Sequence, residues 1–297
     1  MPSKKRIILD KASTVAFRFG QRAFLSGNLE KAEKRGERLA MALFRFDKKH
    51  RERTKANLQL AFPEWSDKKR EETALNVYRH FGRIAADFLR TGLRTVEEVN
   101  SAEVIGRENL ERAYALGKGV LIITAHYGNW ERFAHWFTVN GYTLNVVARD
   151  ANQGAVTQKM TEMRNKAGAE VLTRGNAARA ILGKLKTGDL VGILNDQNNG
   201  DCFVPFFGHP CGTALGPAVL HLRTGAPLIP CYFTRLGPGQ YRAEFHEPVD
   251  GADFDGDQEK ITARLNEVLE SQIRKHPEQW LWLHDRWKSA RRACLMQ

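Results

Sequence analysis

Two hydrophobic periodicities divide the chain. Over roughly the first 90 residues apolar positions recur every three or four places, the spacing of one helical face. Ile8, Ala12, Val15, Phe19 and Ala23 fall on such a stripe, and Leu39, Leu43 and Phe46 continue it, so residues 7–60 are expected to be helical. Ala61-Phe62-Pro63-Glu64-Trp65 breaks the pattern, and Ser66-Asp67 predicts the cap of a second long helix running to about Leu89. From residue 103 short aliphatic runs take over, at 119–125, 144–148, 169–172, 189–194 and 228–234. Segments of helical spacing separate them, at about 129–140, 153–167, 176–186 and 213–224. That alternation predicts a mostly parallel central sheet flanked by helices. Gly237-Pro238-Gly239 turns the chain into a last strand, Tyr241 to His246, and a helix from Gln258 to Lys275 ends at His276-Pro277. The expected fold class is therefore α/β, with an N-terminal helical region at 1–95 and an α/β core at 96–297.

The sharpest junction lies between Gly119 and Glu131, where Val120-Leu121-Ile122-Ile123-Thr124-Ala125 runs directly into His126-Tyr127-Gly128-Asn129-Trp130-Glu131. A continuous aliphatic strand suits a sheet covered on both faces, and loops at the carboxyl ends of such strands commonly carry chemistry. His126 and Glu131 are five residues apart, so on one helix they would point about 140° apart. They can meet only if His126 lies in the turn and Glu131 in the first helical turn, with Gly128 giving the turn its freedom. A carboxylate holding an imidazole is the arrangement of a general base. Against this stands the ordinary reading of a hydrogen-bonded loop histidine.

Charge changes the picture at the N-terminus. The net charge is +12, and residues 1–60 hold sixteen Lys and Arg against six Asp and Glu. Lys4, Lys5, Arg6, Lys11, Arg18 and Arg22 surround the first apolar stripe, flanked by Phe17 and Phe24. No apolar run approaches the ~18 residues of a spanning helix. A basic amphipathic helix instead suits the plane of an anionic membrane surface. Nucleic acid is the other anionic partner, but no motif with the required spacing appears. The four cysteines form no C-x-x-C pair and follow no signal-peptide pattern, so neither a zinc site nor a disulfide framework is expected, and a reducing cytoplasmic setting fits best.

Other segments offer chemistry. Asn195-Asp196-Gln197-Asn198-Asn199-Gly200-Asp201 imitates a calcium loop but has Asp201 and Phe207 where the loop needs its glycine and its last acid. Because it follows an aliphatic strand, Asp196 and Gln197 are candidates for a second catalytic loop, the alternative being a polar loop that caps the next element. Val204-Pro205-Phe206-Phe207-Gly208 reads either as a plug on the core or as a wall, through Phe206 and Phe207, for an apolar ligand chain. Arg149 and Arg164 could clamp a phosphate or carboxylate, although exposed arginine is the common case. There is no G-x-S-x-G elbow, P-loop or deaminase pattern. His126 is then best cast as a base acting on a substrate hydroxyl.

Taken together, these segments resemble the late (lauroyl/myristoyl) acyltransferases of lipid A biosynthesis and the related phosphatidylinositol mannoside acyltransferases. The resemblance runs from about Arg53 to Lys288. It rests on Asn57-Leu58 with Phe62-Pro63-Glu64, on Gly119 to Glu131, on Asp196-Gln197 with Pro205-Phe206-Phe207-Gly208, and on Gly225-Ala226-Pro227-Leu228-Ile229-Pro230. It closes on Pro277-Glu278-Gln279-Trp280-Leu281-Trp282-Leu283-His284-Asp285-Arg286-Trp287-Lys288. It implies a glycerolipid-acyltransferase-like fold at the cytoplasmic face of the inner membrane. The implied reaction moves a fatty acyl group from acyl carrier protein or acyl-coenzyme A to a hydroxyl of a glycolipid, with no metal or cofactor. His126 and Glu131 match the family's catalytic pair, and Asn129 and Trp130 fall inside the motif. Arg149, Arg164, Asp196 and Gln197 match active-site positions. Backbone N–H groups after Gly128 are candidates for an oxyanion hole. Unlike the family pattern, residues 7–25 are broken by charge rather than forming a clear apolar anchor. Two other readings are a basic, non-enzymatic membrane or nucleic-acid-binding protein, and a thioesterase in which water replaces the acceptor.

Overall fold

The computed structural model describes residues 22–148, 155–173 and 177–296. Most of the amphipathic stripe at 7–25, and Arg149, lie outside these residues. The helical region is interrupted more often than its apolar pattern suggests. Gly27 turns the chain with φ +76°, and Asn28 caps helix α1, Leu29–Phe46, by accepting from the Lys31 N–H. Asp47 ends α1 and starts α2, Lys48–Ala61, by accepting from the His50 N–H. The third helix begins where the sequence predicts, with Ser66 capping α3, Asp67–Leu89. Helices α1 and α3 cross at Gly36 and Gly82, where a Cβ on Gly36 would lie 2.1 Å from the Gly82 carbonyl oxygen. Only glycine allows that approach.

The short helix α4, Val96–Asn100, leads to strand β1, Glu103–Ile105, and α5, Arg107–Ala115. The core then alternates: β2 Val120–Thr124, α6 Trp130–Val139, β3 Leu144–Ala148, α7 Ala155–Lys166, β4 Glu170–Thr173, α8 Ala177–Lys186 and β5 Leu190–Leu194. After a hairpin, β6 Cys202–Phe206 and β7 His209–Thr213, come α9 Gly216–Thr224, β8 Leu228–Gly237, β9 Gln240–Phe245, α10 Gln258–Lys275 and α11 Lys288–Arg292. The sheet order is β1-β9-β8-β2-β5-β3-β4, parallel throughout except for the β8–β9 pair. This is the expected mixed α/β architecture.

Connections from β2 lead outward to β3 and β4, whereas β5 returns beside β2 and the chain then crosses to β8 on the other side. Ligands bind at such reversals, outside the carboxyl ends of the strands. One apolar layer, with Ile122, Phe133 and Phe137, covers one sheet face. A second, with Leu121, Ile181 and Val191, covers the other. A third joins Leu58, Phe62 and Val77 of the N-terminal helices to Tyr127, Phe206, Trp280, Trp282 and Trp287, so helical region and sheet share one interior.

Candidate active site

Strands β2 and β5 lie side by side with Thr124 opposite Leu194. Two residues further along each strand stand His126 and Asp196, and their contact follows from that register. Asp196 is buried and accepts three hydrogen bonds: from His126 Nδ1 at 2.8 Å, from the His126 N–H at 2.9 Å and from Trp280 Nε1 at 2.9 Å. One carboxylate thus fixes both the ring and the backbone that carries it. Nδ1–H donates to Asp196, which leaves Nε2 as the basic nitrogen. Burial disfavours the imidazolium, but the charge and hydrogen bond of Asp196, with a smaller contribution from Glu131, outweigh it and raise His126 above the ordinary histidine value. Burial also opposes the Asp196 carboxylate, yet its donors hold it below the usual aspartate range.

The turn after His126 is anchored on every side. Gly128 has φ +58°, and a Cβ there would lie 2.0 Å from the Phe233 carbonyl oxygen. The Gly128 N–H donates to Gln279 O at 3.0 Å and the Asn129 N–H to Phe233 O at 2.9 Å. His80 Nε2 donates to the Gly128 carbonyl at 3.0 Å. Burial pushes His80 down to about 3, so its ring is neutral. Asn129 caps α6 through the Arg132 N–H at 3.0 Å, while its amide donates to Asp87 at 2.6 Å and Tyr241 at 3.1 Å. Asp87, wholly interior, is neutralised by Arg94 and Arg132.

This geometry corrects several sequence expectations. Glu131 was expected to hold the imidazole, but it lies one helical turn on and accepts from Arg164 at 2.5 and 3.0 Å and from Trp130 Nε1 at 3.2 Å. Asp196 occupies the position against the ring instead. Asn129, expected at the substrate, is fully buried as a cap. The amides of Gly128 and Asn129 are engaged, whereas those of Trp130 and Glu131 stand at helix positions with no intrahelical acceptor. Phe206 and Phe207 do not wall the ligand space. They pack edge to face on each other, and Phe206 contacts Trp280 and Trp287 while Phe207 contacts Phe62 and Trp282.

A cavity of about 530 Å³ opens at the carboxyl edge. His126, Trp130, Glu131, Arg164 and Gln197 line its polar part. Ile122, Phe133, Phe137, Leu144 and Val146 line it from one sheet face, and Ile181, Ile193 and Leu220 from the other. Arg164 and Gln197, which the sequence offers as ligand contacts, both line this cavity. Burial pushes the Cys202 and Cys211 thiols up to about 11, and the described residues hold no group of side chains that could bind a metal ion.

Sequence reasoning missed Trp280 as a partner of Asp196, and Asp87, His80 and Gln279 as supports of the turn. Trp280 and Gln279 stood in the C-terminal block already singled out. Nothing in the local pattern marks Asp87 or His80, since each acts across more than 40 residues of chain.

An imidazole held by a buried carboxylate at the edge of a cavity lined with apolar side chains is an arrangement suited to general-base chemistry. Residues 27–289 match the bacterial lipid A biosynthesis acyltransferase family, and the chain belongs to that family. It is similar to the lipid A biosynthesis palmitoleoyltransferase of Escherichia coli K12, 27% identical over 262 residues that cover 86% of this chain and 84% of the relative. The lauroyltransferase of the same organism is 27% identical over 260 residues, covering 84% and 83%. A phosphatidylinositol mannoside acyltransferase of Mycobacterium tuberculosis H37Rv is 29% identical over 202 residues, covering 64% and 62%. By family the chain is an O-acyltransferase.

Proposed function

We propose that this protein transfers a fatty acyl group from an acyl thioester, on acyl carrier protein or coenzyme A, to a hydroxyl of a lipid A-type glycolipid. The observation that carries the reading is the His126–Asp196 pair at the edge of an apolar cavity in a chain of this family. His126 Nε2 takes the proton of the acceptor hydroxyl as its oxygen attacks the thioester carbonyl, and Asp196 stabilises the resulting imidazolium. In this reading the amides of Trp130 and Glu131, at the first two positions of α6 where no intrahelical acceptor exists, stabilise the developing oxyanion. Collapse of the tetrahedral intermediate forms the ester and releases the thiolate, which recovers the proton from His126. The acyl chain lies in the cavity. The Glu131–Arg164 pair supplies compensated charge at its polar end.

No described helix is long and apolar enough to cross a membrane. Helix α1 nevertheless exposes Leu39, Leu43 and Phe46, the last 82% exposed, beside Arg38 and Arg45. That stripe, continuing the basic pattern at 7–25, supports peripheral attachment to an anionic inner-membrane surface. Vesicle co-sedimentation should fall as salt rises, and binding indifferent to both salt and lipid charge would contradict it. For the reaction, purified protein, a labelled acyl thioester and a lipid A precursor should yield labelled glycolipid. Free fatty acid formed at the same rate with and without acceptor would make the protein a thioesterase, and no turnover at all would leave a binding protein.

A further inference from the structure

The two ends of the family resemblance, Arg53 and Lys288, come together at one place that the reaction above leaves unused. Asn57 donates to the carbonyls of Trp282 and His284 at 2.8 and 2.9 Å, tying α2 to the C-terminal block. Arg53, one helical turn before Asn57, faces the same segment. Arg53, Asn198, His284, Asp285 and Lys288 line a pocket of about 340 Å³. Asn198 also lines the cavity that holds His126, so the two spaces adjoin.

The pocket offers donors and positive charge. Arg53 makes one long contact, 3.5 Å to the Leu283 carbonyl, and neither Arg53 nor Lys288 has a carboxylate partner among the described residues. Asp285 is matched by Arg291. His284 Nε2 accepts from the Asn198 N–H at 2.8 Å, so its proton sits on Nδ1 as a donor. Burial, which pushes His284 down to about 4, agrees with that neutral ring. The Asn198 side-chain Oδ1 accepts from the Ser289 N–H and hydroxyl, leaving its NH₂ as donor. Two cations without a carboxylate partner among the described residues, with neutral donors lining the same pocket, suit a phosphate.

We infer that this pocket is a phosphate subsite of the acyl-transfer reaction, with Arg53 and Lys288 as its charged contacts and His284 and Asn198 as neutral donors. The inference rests on the proposed acyl transfer. Both substrates of that reaction bring the required chemistry: the donor thiol is carried on a phosphopantetheine arm, and lipid A-type acceptors present sugar phosphates. The pocket would hold whichever phosphate travels beside the reacting atoms.

The test compares wild type with Arg53→Gln and Lys288→Gln, taking KM for donor and acceptor separately, with a phosphorylated acceptor and its dephosphorylated form. Each variant should raise KM for one substrate on the order of tenfold, with kcat changed far less, as loss of a charge-assisted contact implies. If the acceptor supplies the phosphate, the penalty disappears with the dephosphorylated acceptor. If the donor supplies it, the rise falls on donor KM and ignores acceptor phosphorylation. Unchanged KM for both substrates overturns the subsite. Independently of turnover, inorganic pyrophosphate at fixed ionic strength should raise the Tm of wild type but not of the double variant. Equal shifts, or none in wild type, would also overturn it. A wild-type protein that transfers no acyl group would tell against the reaction, while pyrophosphate protection would still decide the pocket.

Discussion

The inner edge of the sheet around Asp196 and the helix start around Glu131 both place a carboxylate near His126, but they are built differently. Asp196 stands two residues past the end of β5, is buried and spends its oxygens on the ring, on the backbone of His126 and on Trp280. Glu131 opens a helix, lines the cavity and spends its oxygens on Arg164 and Trp130. One carboxylate is therefore fixed against the imidazole, and the other is half of an ion pair that lines the cavity. Position in sequence suggested the reverse, because Glu131 is the nearer of the two along the chain.

The largest effect should come from the base both regions serve. His126→Ala is expected to lower acyl transfer about 10²- to 10⁴-fold while the protein melts normally. Near-native turnover in a folded preparation would remove the mechanism and with it the comparison.

Asp196→Asn separates the two carboxylates. The base must be neutral to act, so kcat/KM should rise with pH as His126 deprotonates, at a value above the ordinary ~6.5 because of Asp196. With Asn in place, burial is no longer outweighed, and the acidic limb should move to lower pH. The plateau should fall on the order of 10²-fold, since a neutral amide can favour the wrong tautomer and cannot stabilise the imidazolium. A full pH–rate profile checks both. An unmoved limb would mean that Asp196 is not the group that sets His126.

Glu131→Gln should be the milder change, roughly tenfold in rate, with a smaller shift of the same limb, because Glu131 contributes less to the His126 environment. Glu131→Ala adds a second penalty by leaving the partly buried Arg164 without its partner, about 1–3 kcal/mol. Thermal melts of both variants beside their rates distinguish the contributions. If Glu131→Gln shifts the limb more than Asp196→Asn, the roles assigned to the two regions are exchanged.

The same contrast shows what the sequence made legible. The alternation of strands and helices, the capped start of α3 and the His126 turn were all visible, because each depends on residues close in sequence. The Asp196 contact depends on β5 lying beside β2, a non-sequential pairing that no local pattern carries. Its only sequence trace is that each strand ends two residues before its functional side chain. The β6–β7 hairpin was hidden by Pro205 and Pro210, which weigh against a strand, yet both are tolerated in a two-stranded ribbon. Its turn places Phe207 at φ +50° and Gly208 at φ +75°, a conformation usually announced by Asn-Gly. Phe206 and Phe207 therefore looked like a loop wall when they are core.

With those phenylalanines assigned to packing, the residue expected to gauge an acyl chain in the proposed cavity lies on the sheet. Gly192 sits in the middle of β5, opposite Ile122 on β2 and Val146 on β3, and all three line the cavity. Nothing in the fold demands glycine there: a Cβ would meet Val146 Cγ1 at 3.5 Å and Leu144 Cδ1 at 3.6 Å, ordinary contacts. Glycine inside a strand weakens it unless something approaches closely, and here the open space belongs to the cavity. Ile122 lies four residues before His126, as Gly192 does before Asp196, which puts Gly192 on the order of 13 Å below the imidazole. Gly192→Ala should keep or slightly raise Tm, and Gly192→Val should narrow the space further. Competition between acyl donors of different length should then shift toward shorter chains in the order Gly, Ala, Val, each methylene being worth roughly 1–3 kcal/mol of discrimination. Unchanged length preference in folded variants would take the acyl chain off this face and direct it along Ile193 and Leu220 on the other.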